Sequence, residues 1–426
     1  MSTANSNPAA RVDIDRILRD LSALIEFPSV TGDEEPIQDL IAGWLREMGV
    51  TVESQKLVPS VIAEDSDWPG AEVERQVLPL VVGRVGPRGG KRRLLIGHVD
   101  VVPAGDVASW SHSPWKATLE GDQLFGRGAA DMKSGCAAIL ETVRVLTSSG
   151  AASAWDGELV VVFVPSEEDG GQGALAAVRA GWTGDAAVIA EPTDLDLVVA
   201  HAGAITFRIV VTGRSAHAAT RHLGVSALDK LLLVLEALRD DERQRNVAER
   251  EPLMRALELP YATSIGVIRG GSWASTVMDE VSVEGRYSVR LGQTWIDAEA
   301  ELRACVSSAA QLDPWLSDHP PLVAVIGGRF SSARIPGDHP LVVDMRHAIR
   351  QITDREPTIR ALPAGTDMRL FVNQGQTPTV VFGPGSVDSA HAPDEHVNLT
   401  DVATCAKVLV EWVNGGLRSS PVNGGG

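Results

Sequence analysis

The run LLIGHVDVVPAGD sets His98 and Asp100 two residues apart, just after an apolar segment. On a strand, residues i and i+2 share a face. The carboxylate of Asp100 can then sit behind the imidazole and fix its tautomer while the other ring nitrogen holds a metal. A strand-end histidine bonded to a turn aspartate is the plainer alternative. GRGAADMKSGCAA places Asp131 after a glycine-rich approach and immediately before a helical pattern, so it suits an N-cap as well as a ligand, and the two roles are compatible. FVPSEEDGGQG ends a very apolar run with Glu167, Glu168 and Asp169 and no adjacent Lys or Arg. Adjacent carboxylates at a buried strand end repel one another unless cations or shared protons are present; the alternative is a solvated acidic loop. Glu191 follows AAVIA, and His391 opens HAPDEH after the last apolar run. Every candidate follows a segment that reads as a strand, which would gather them on one edge of one sheet, where α/β folds present their ligands.

The chemistry open to such a set is that of a metal ion held by imidazole and carboxylate. Cys136, Cys305 and Cys405 stand far apart with no C-x-x-C spacing, which excludes a disulfide framework and a thiolate zinc site. Any metal must therefore be held by His and carboxylate. Two ions about 3.5–4 Å apart need a bridging carboxylate, a few further ligands each, and one nearby acid left unligated to move protons. Water activated in this way needs no Ser or Cys nucleophile. With 38 Lys and Arg against 56 Asp and Glu, the net charge is −18, and no basic patch of the kind that phosphate binding requires is visible. Nucleic acid is excluded as a partner on that ground. MSTANSNPAA lacks the basic and apolar regions of a secretion signal, and apolar stretches such as Leu159 to Val164 are too short to span a bilayer, so a cytoplasmic protein with no membrane partner is expected.

The 426 residues call for about two domains on a rough prior of 100–200 residues each. In the first half VLPLVVG, LLIGH, LVVVFVP and AAVIAEP read as buried strands of a largely parallel sheet. Val12 to Glu26, Pro36 to Met48, Ala137 to Thr147 and Gly173 to Ala180 have the three-and-four spacing of helices, and an α/β sandwich follows. After about His201 the pattern changes. ITFRIVVTG and EVSVEGRYSVRL alternate as half-exposed antiparallel strands do, with helices near Val225 to Leu238 and Ile296 to Leu312. The helix–strand idiom returns from Pro340, with TPTVVFGPG and a closing helix near Asp401 to Val413. The expected organisation is a catalytic domain of residues 1–203 and 331–426, sandwiched by helices, with an α+β module of residues 204–330 inserted. MSTANSNPAA and SSPVNGGG are expected to be disordered.

Six segments in order, GHVDVVPAGD, SWSHSPWKATLEGDQLFGRGAADMKSG, SEEDGGQGA, AEPTD, GRSAHAA and HAPDEHV, resemble the metallopeptidase family of aminoacylase, acetylornithine deacetylase, succinyl-diaminopimelate desuccinylase and the bacterial glutamate carboxypeptidases. The resemblance covers nearly the whole chain. It implies that Asp131 bridges two metal ions, that His98 and Glu191 complete one site, and that Glu168 and His391 complete the other. Asp100 would orient His98, and Glu167 would be the general base. It further implies that the inserted module is a lid and dimerisation domain, from which His217 would reach the active site, commonly across the dimer, to stabilise an oxyanion. His222 stands close enough to compete for that part. The chain departs from the family where GGSWASTVMDE carries Ser275 and Thr276 in place of a common Asn, and where Ser288 falls at the position of a substrate-binding Arg. Arg286 and Arg290 lie two residues to either side, and Arg290 is taken as the candidate. PAGTDMR makes Arg369 a second candidate to clamp a carboxylate.

The function so implied is hydrolysis of a C–N bond, as in an N-acyl amino acid or short peptide bearing a carboxylate, by a homodimer or higher homo-oligomer. Zinc is the metal first expected, with manganese or cobalt as alternatives. Hydrolytic deamination of an aromatic amine such as 5-nitroanthranilate is the alternative within the class. A non-catalytic metal-binding or interaction protein is the alternative outside it, and an acid left unligated at Glu167 argues against that one.

Overall fold

The apolar runs of the first half assemble into one nine-stranded sheet in a computed structural model that describes residues 7–418. Seven of its strands lie in the order Thr51–Leu57, Leu78–Val85, Glu158–Val164, Arg92–His98, Ala186–Ile189, Thr379–Val381 and Leu197–His201, and the short strands Ala333–Arg334 and Ile359–Leu362 both pair with the last of these. From Glu158–Val164 to Thr379–Val381 the pairing is parallel, and the strands flanking this centre are antiparallel. His98 is in register with Val164, Ile96 with Ile189, and Ile189 with Val381, so the carboxyl ends of the parallel strands are level. Val160 to Val164 are all inaccessible to solvent, which requires cover on both faces. Lys133–Ser148 and Leu399–Leu417 pack on Arg92–His98, and Glu35–Glu47 and Gln172–Arg179 pack on Leu78–Val85.

Helices stand where the apolar spacing places them, and some of them start at side-chain caps. Asp13 accepts from the amides of Asp15 and Arg16 and starts Ile14–Ile25. The Asn7 side chain accepts from the Ala9 amide and starts a 3₁₀ turn, Pro8–Arg11, within a terminus expected to be disordered. The same expectation for residues 1–6 and 419–426 lies outside the described residues.

The chain divides into two compact units, one running to Val199 and comprising also Ile335–Arg360 and the residues from Leu370, the other Ala200–Arg334 with Ala361–Arg369. Hydropathy patterning does not mark Ala361–Arg369 as part of the second unit. That unit is a four-stranded antiparallel sheet in the order Thr263–Gly270, Glu280–Val289, Gly203–Thr212, Leu322–Phe330. Ile205, Phe207, Ile209 and Val211 alternate toward a core shared with Leu231, Val234, Leu238, Leu302 and Val306 of two helices, which is how a half-buried sheet reads. The first of these helices is Ala227–Ala248, longer than expected because its last ten residues, RDDERQRNVA, include six good helix formers but show little apolar periodicity. The second is Trp295–Gln311, started by a capping box of Thr294 and Asp297.

Candidate metal centre

His98 ends its strand, and its side chain is 1% exposed. Nδ1 lies 2.9 Å from the main-chain carbonyl of Asp100, to which it donates, and Nε2 is left facing the carboxylates of Asp131 and Glu191. The Asp100 carboxylate stands farther back, 3.6 Å from Nδ1. It accepts instead from the amides of Glu167 at 3.1 Å and Glu168 at 3.2 Å and from the Thr31 hydroxyl at 3.1 Å. Asp100 thus ties the end of one parallel strand to the acidic turn after its neighbour. Asp131 is not an N-cap: Met132 takes that position on Lys133–Ser148 without a side-chain cap bond. The Asp131 side chain faces the imidazoles. Its Oδ1 is 3.0 Å from His98 Nε2 and its Oδ2 3.5 Å from His391 Nε2. Glu191 Oε2 lies 3.5 Å from His98 Nε2, and Glu168 Oε2 lies 3.1 Å from His391 Nε2. Glu167, 8% exposed, also offers a carboxylate oxygen close to those of His98 and Glu191. Asp169 turns elsewhere, to Arg75.

These groups share charge tightly. Burial pushes Glu191 up to about 8, helped by the negative charge of Asp131. Hydrogen bonds to Asp131 and Glu168 raise His391 to about 10. Burial opposes the charged form of His98, yet Glu191 and Asp131 hold it well above its ordinary value. Burial likewise works against ionised Asp131, but His391 and His98 take it well below the usual carboxylate range. A divalent cation would meet the same demand for positive charge. Two ligand atoms bonded tetrahedrally at about 2.0–2.2 Å lie about 3.3–3.6 Å apart. The four contacts among His98, Asp131, Glu191, Glu168 and His391 run from 3.0 to 3.5 Å, and the two oxygens of Asp131 face different imidazoles. Three carboxylates and two imidazoles arranged around one shared aspartate fit a pair of divalent ions.

Residues 94–415 match the peptidase family M20/M25/M40. The chain belongs to that family. It is similar to the N-formyl-4-amino-5-aminomethyl-2-methylpyrimidine deformylase of Bacillus subtilis (strain 168), 26% identical over 402 residues that cover 89% of this chain and 88% of that protein. With the acetylornithine deacetylase of Klebsiella pneumoniae (strain 342) it shares 28% identity over 405 residues, 92% of this chain and 95% of the relative. The dipeptidase Dug1p of Saccharomyces cerevisiae has the same fold, with a TM-score of 0.75 at 15% identity over 97% of this chain and 98% of that one. So has a dinuclear metal binding peptidase of the M20 family from Bacillus subtilis, with a TM-score of 0.63 at 15% identity over 95% and 98%. This M20/M25/M40 chain is a metal-dependent hydrolase acting on C–N bonds.

Its second unit holds the remaining candidates. His217 is exposed and caps the 3₁₀ helix Ala218–Leu223, its Nδ1 accepting from the Ala219 amide at 3.1 Å. The proton therefore sits on Nε2, from which it can be donated. His222 lies in the same short helix. Ser275 and Thr276 run beside His217, with the Ala218 amide donating to the Ser275 carbonyl at 2.9 Å. Arg290 follows the strand Glu280–Val289 and pairs with Glu301. Arg369 is 2% exposed, donates to the Thr366 carbonyl at 2.9 Å and lies over the ring of Phe330 at 4.0 Å.

One further residue was not marked by its motif. The buried carboxylate of Glu395 accepts from Arg127 Nη1 at 2.6 Å and from the amides of Gly128, Ala130 and Asp131 at 2.9–3.1 Å. It joins the loop of His391 to the loop of Asp131. The signal in the sequence was its place four residues after His391, which reads equally well as surface.

Proposed function

We propose that the chain removes the acyl group from a small N-acylated amine or amino acid, or cleaves a short peptide, at a dinuclear centre held by His98, Asp131, Glu168, Glu191 and His391. The shared Asp131 supports this reading, its two oxygens facing separate imidazoles at 3.0 and 3.5 Å. Divalent ions there would polarise the scissile carbonyl and make water acidic enough to give up a proton near neutral pH. Glu167 takes that proton and delivers it to the leaving nitrogen; its carboxylate lies beside Glu191 and His98, and Asp100 fixes its amide. His217, with its proton on Nε2, donates to the oxyanion. Arg290 and Arg369 are the candidates for a substrate carboxylate.

The second unit acts as lid and dimerisation surface in this reading. Its edge strand Thr263–Gly270 exposes Ile265 and Ile268, and its first helix exposes Leu232 and Leu233, apolar surface that a partner copy would cover. Zinc is the first metal expected, and the protein acts in the cytoplasm; no helix among the described residues is long and apolar enough to cross a membrane. The test is metal analysis of the purified protein with a hydrolysis screen over N-formyl and N-acetyl amino acids, dipeptides and amino-aromatic acids. Release of amine and acid from acylated substrates supports the reading. Ammonia released from aromatic amines alone replaces it with deamination.

A further inference from the structure

Behind the acidic turn lies a cation that the scheme above does not use. Arg75 stands between the helix Pro59–Ala63 and the strand Leu78–Val85, and its neighbours Val73, Glu74 and Gln76 are exposed while its own side chain is 1% exposed. Its guanidinium donates through Nη1 to Glu34 Oε1 at 2.7 Å and through Nη2 to Asp169 Oδ1 at 2.9 Å. Asp169 in turn accepts from the Ser166 hydroxyl and, through Oδ2, from the amides of Glu72 at 3.3 Å and Val73 at 3.2 Å. One buried carboxylate therefore fastens the Glu72–Arg75 segment to the Ser166–Asp169 turn. That turn carries Glu167 and Glu168.

The turn needs such support. Ser166 has φ of +69°, a region that non-glycine residues enter at a cost. Gly170 follows at φ of +138°, and a Cβ there would stand 2.7 Å from the Gly70 carbonyl, so the chain just before Glu72 passes directly against the turn. Burying a guanidinium between two carboxylates adds little to stability compared with apolar packing. What the planar fork provides is a fixed distance between two acids on separate segments, which the single ammonium of a lysine cannot reproduce.

We propose that Arg75 is a positioning residue for the general base: by bridging Glu34 and Asp169 it holds the Ser166–Asp169 turn and so sets where the Glu167 carboxylate stands relative to His98 and Glu191. The proposal rests on the reading of Glu167 given above. Measured with divalent metal in saturating excess, so that Glu168 on the same turn keeps its ion, Arg75→Met should lower kcat by roughly 10- to 100-fold, the scale of a misplacement of about 1 Å, with KM little changed. Arg75→Lys, which restores the charge but not the fork, should recover only a small part of the loss. Asp169→Asn, which keeps the shape of the side chain, should show the same kcat-only defect. In a Glu167→Gln background Arg75→Met should change residual turnover by less than about twofold, since a residue acting through Glu167 has nothing left to position. Independently of any substrate, hydrogen exchange at the amides of Glu167 and Glu168 should quicken in Arg75→Met. Unchanged exchange, or an equal loss of kcat with and without Glu167, overturns the proposal. So does a defect confined to folding or metal retention with normal kcat in Asp169→Asn. If Glu167→Gln itself turns over normally, the reading of Glu167 has failed; if Glu167→Gln is inactive and Arg75→Met is normal, only the role of Arg75 has.

Discussion

Asp131, with a side chain 15% exposed, and the buried Glu167 belong to the same acidic cluster around His98, and what separates the roles proposed for them is whom they face. Asp131 places one oxygen at each imidazole, 3.0 Å from His98 and 3.5 Å from His391. Asp131→Asn should therefore lose at least one ion per chain by elemental analysis, together with turnover. Glu167→Gln should keep its metal and lose turnover by roughly 10²-fold or more, as removal of a general base does. Retention of both ions by Asp131→Asn would remove it from the bridging position. A different titration is set by His201 in the second unit. Its Nδ1 donates to the Ala202 carbonyl, Nε2 is buried without a partner, and burial takes it down to about 4. A histidine whose folded value is depressed is neutral in the native state and charged in the unfolded state between pH 4 and 6.5. Stability is lost as pH falls through that window, by about 2 kcal/mol at pH 5. Urea unfolding of His201→Gln should show a loss between pH 7 and pH 5 smaller by about that amount; an equal loss would mean that His201 already titrates normally.

At the scale of elements, the centre exists because parallel strands end level and helices approach them closely. Gly135, in the first turn of Lys133–Ser148, shows how close. A Cβ there would lie 2.0 Å from the carbonyl of Ala190, the residue before Glu191. Gly135→Ala should push the helix and the Glu191 segment apart. Overpacking of this kind costs roughly 1–3 kcal/mol, and the displaced ligand should weaken metal binding in the same variant. Denaturant unfolding and metal content measured together check it. Unchanged metal content in a destabilised Gly135→Ala would show that the helix, not the Glu191 segment, had yielded.

For the whole molecule, removal of metal and mixing of subunits are the informative perturbations. Candidate ligands gathered from three strand ends and two loops bind an ion only when the chain is folded, so chelation should lower the unfolding temperature and divalent ions should restore it. At free metal about 1,000 times Kd the linkage amounts to about 4 kcal/mol. An unfolding temperature indifferent to chelator would place the ions outside the folded centre. If His217 acts across a dimer, hybrids of His217→Ala and Glu167→Ala subunits should regain activity that neither parent has. A proven hybrid with none would confine His217 to its own subunit.

The amino-acid sequence by itself determined most of the elements and named the candidate ligands. Unbroken apolar runs such as Leu159 to Val164 belong only in a strand covered on both sides, and acids or histidines directly after such runs can only fall at a sheet edge. The tertiary structure decided what each one does there. That Asp131 faces two imidazoles rather than capping its helix depends on atoms contributed from residues 98 and 391, which no local spacing relates. The tie between Asp100 and the Glu167 amide, the four donors on Glu395 and the fork of Arg75 are of the same kind. Each satisfies a buried charge with partners distant along the chain. Periodicity reports which face of an element is buried, and the identity of the group waiting there is fixed only when the elements pack.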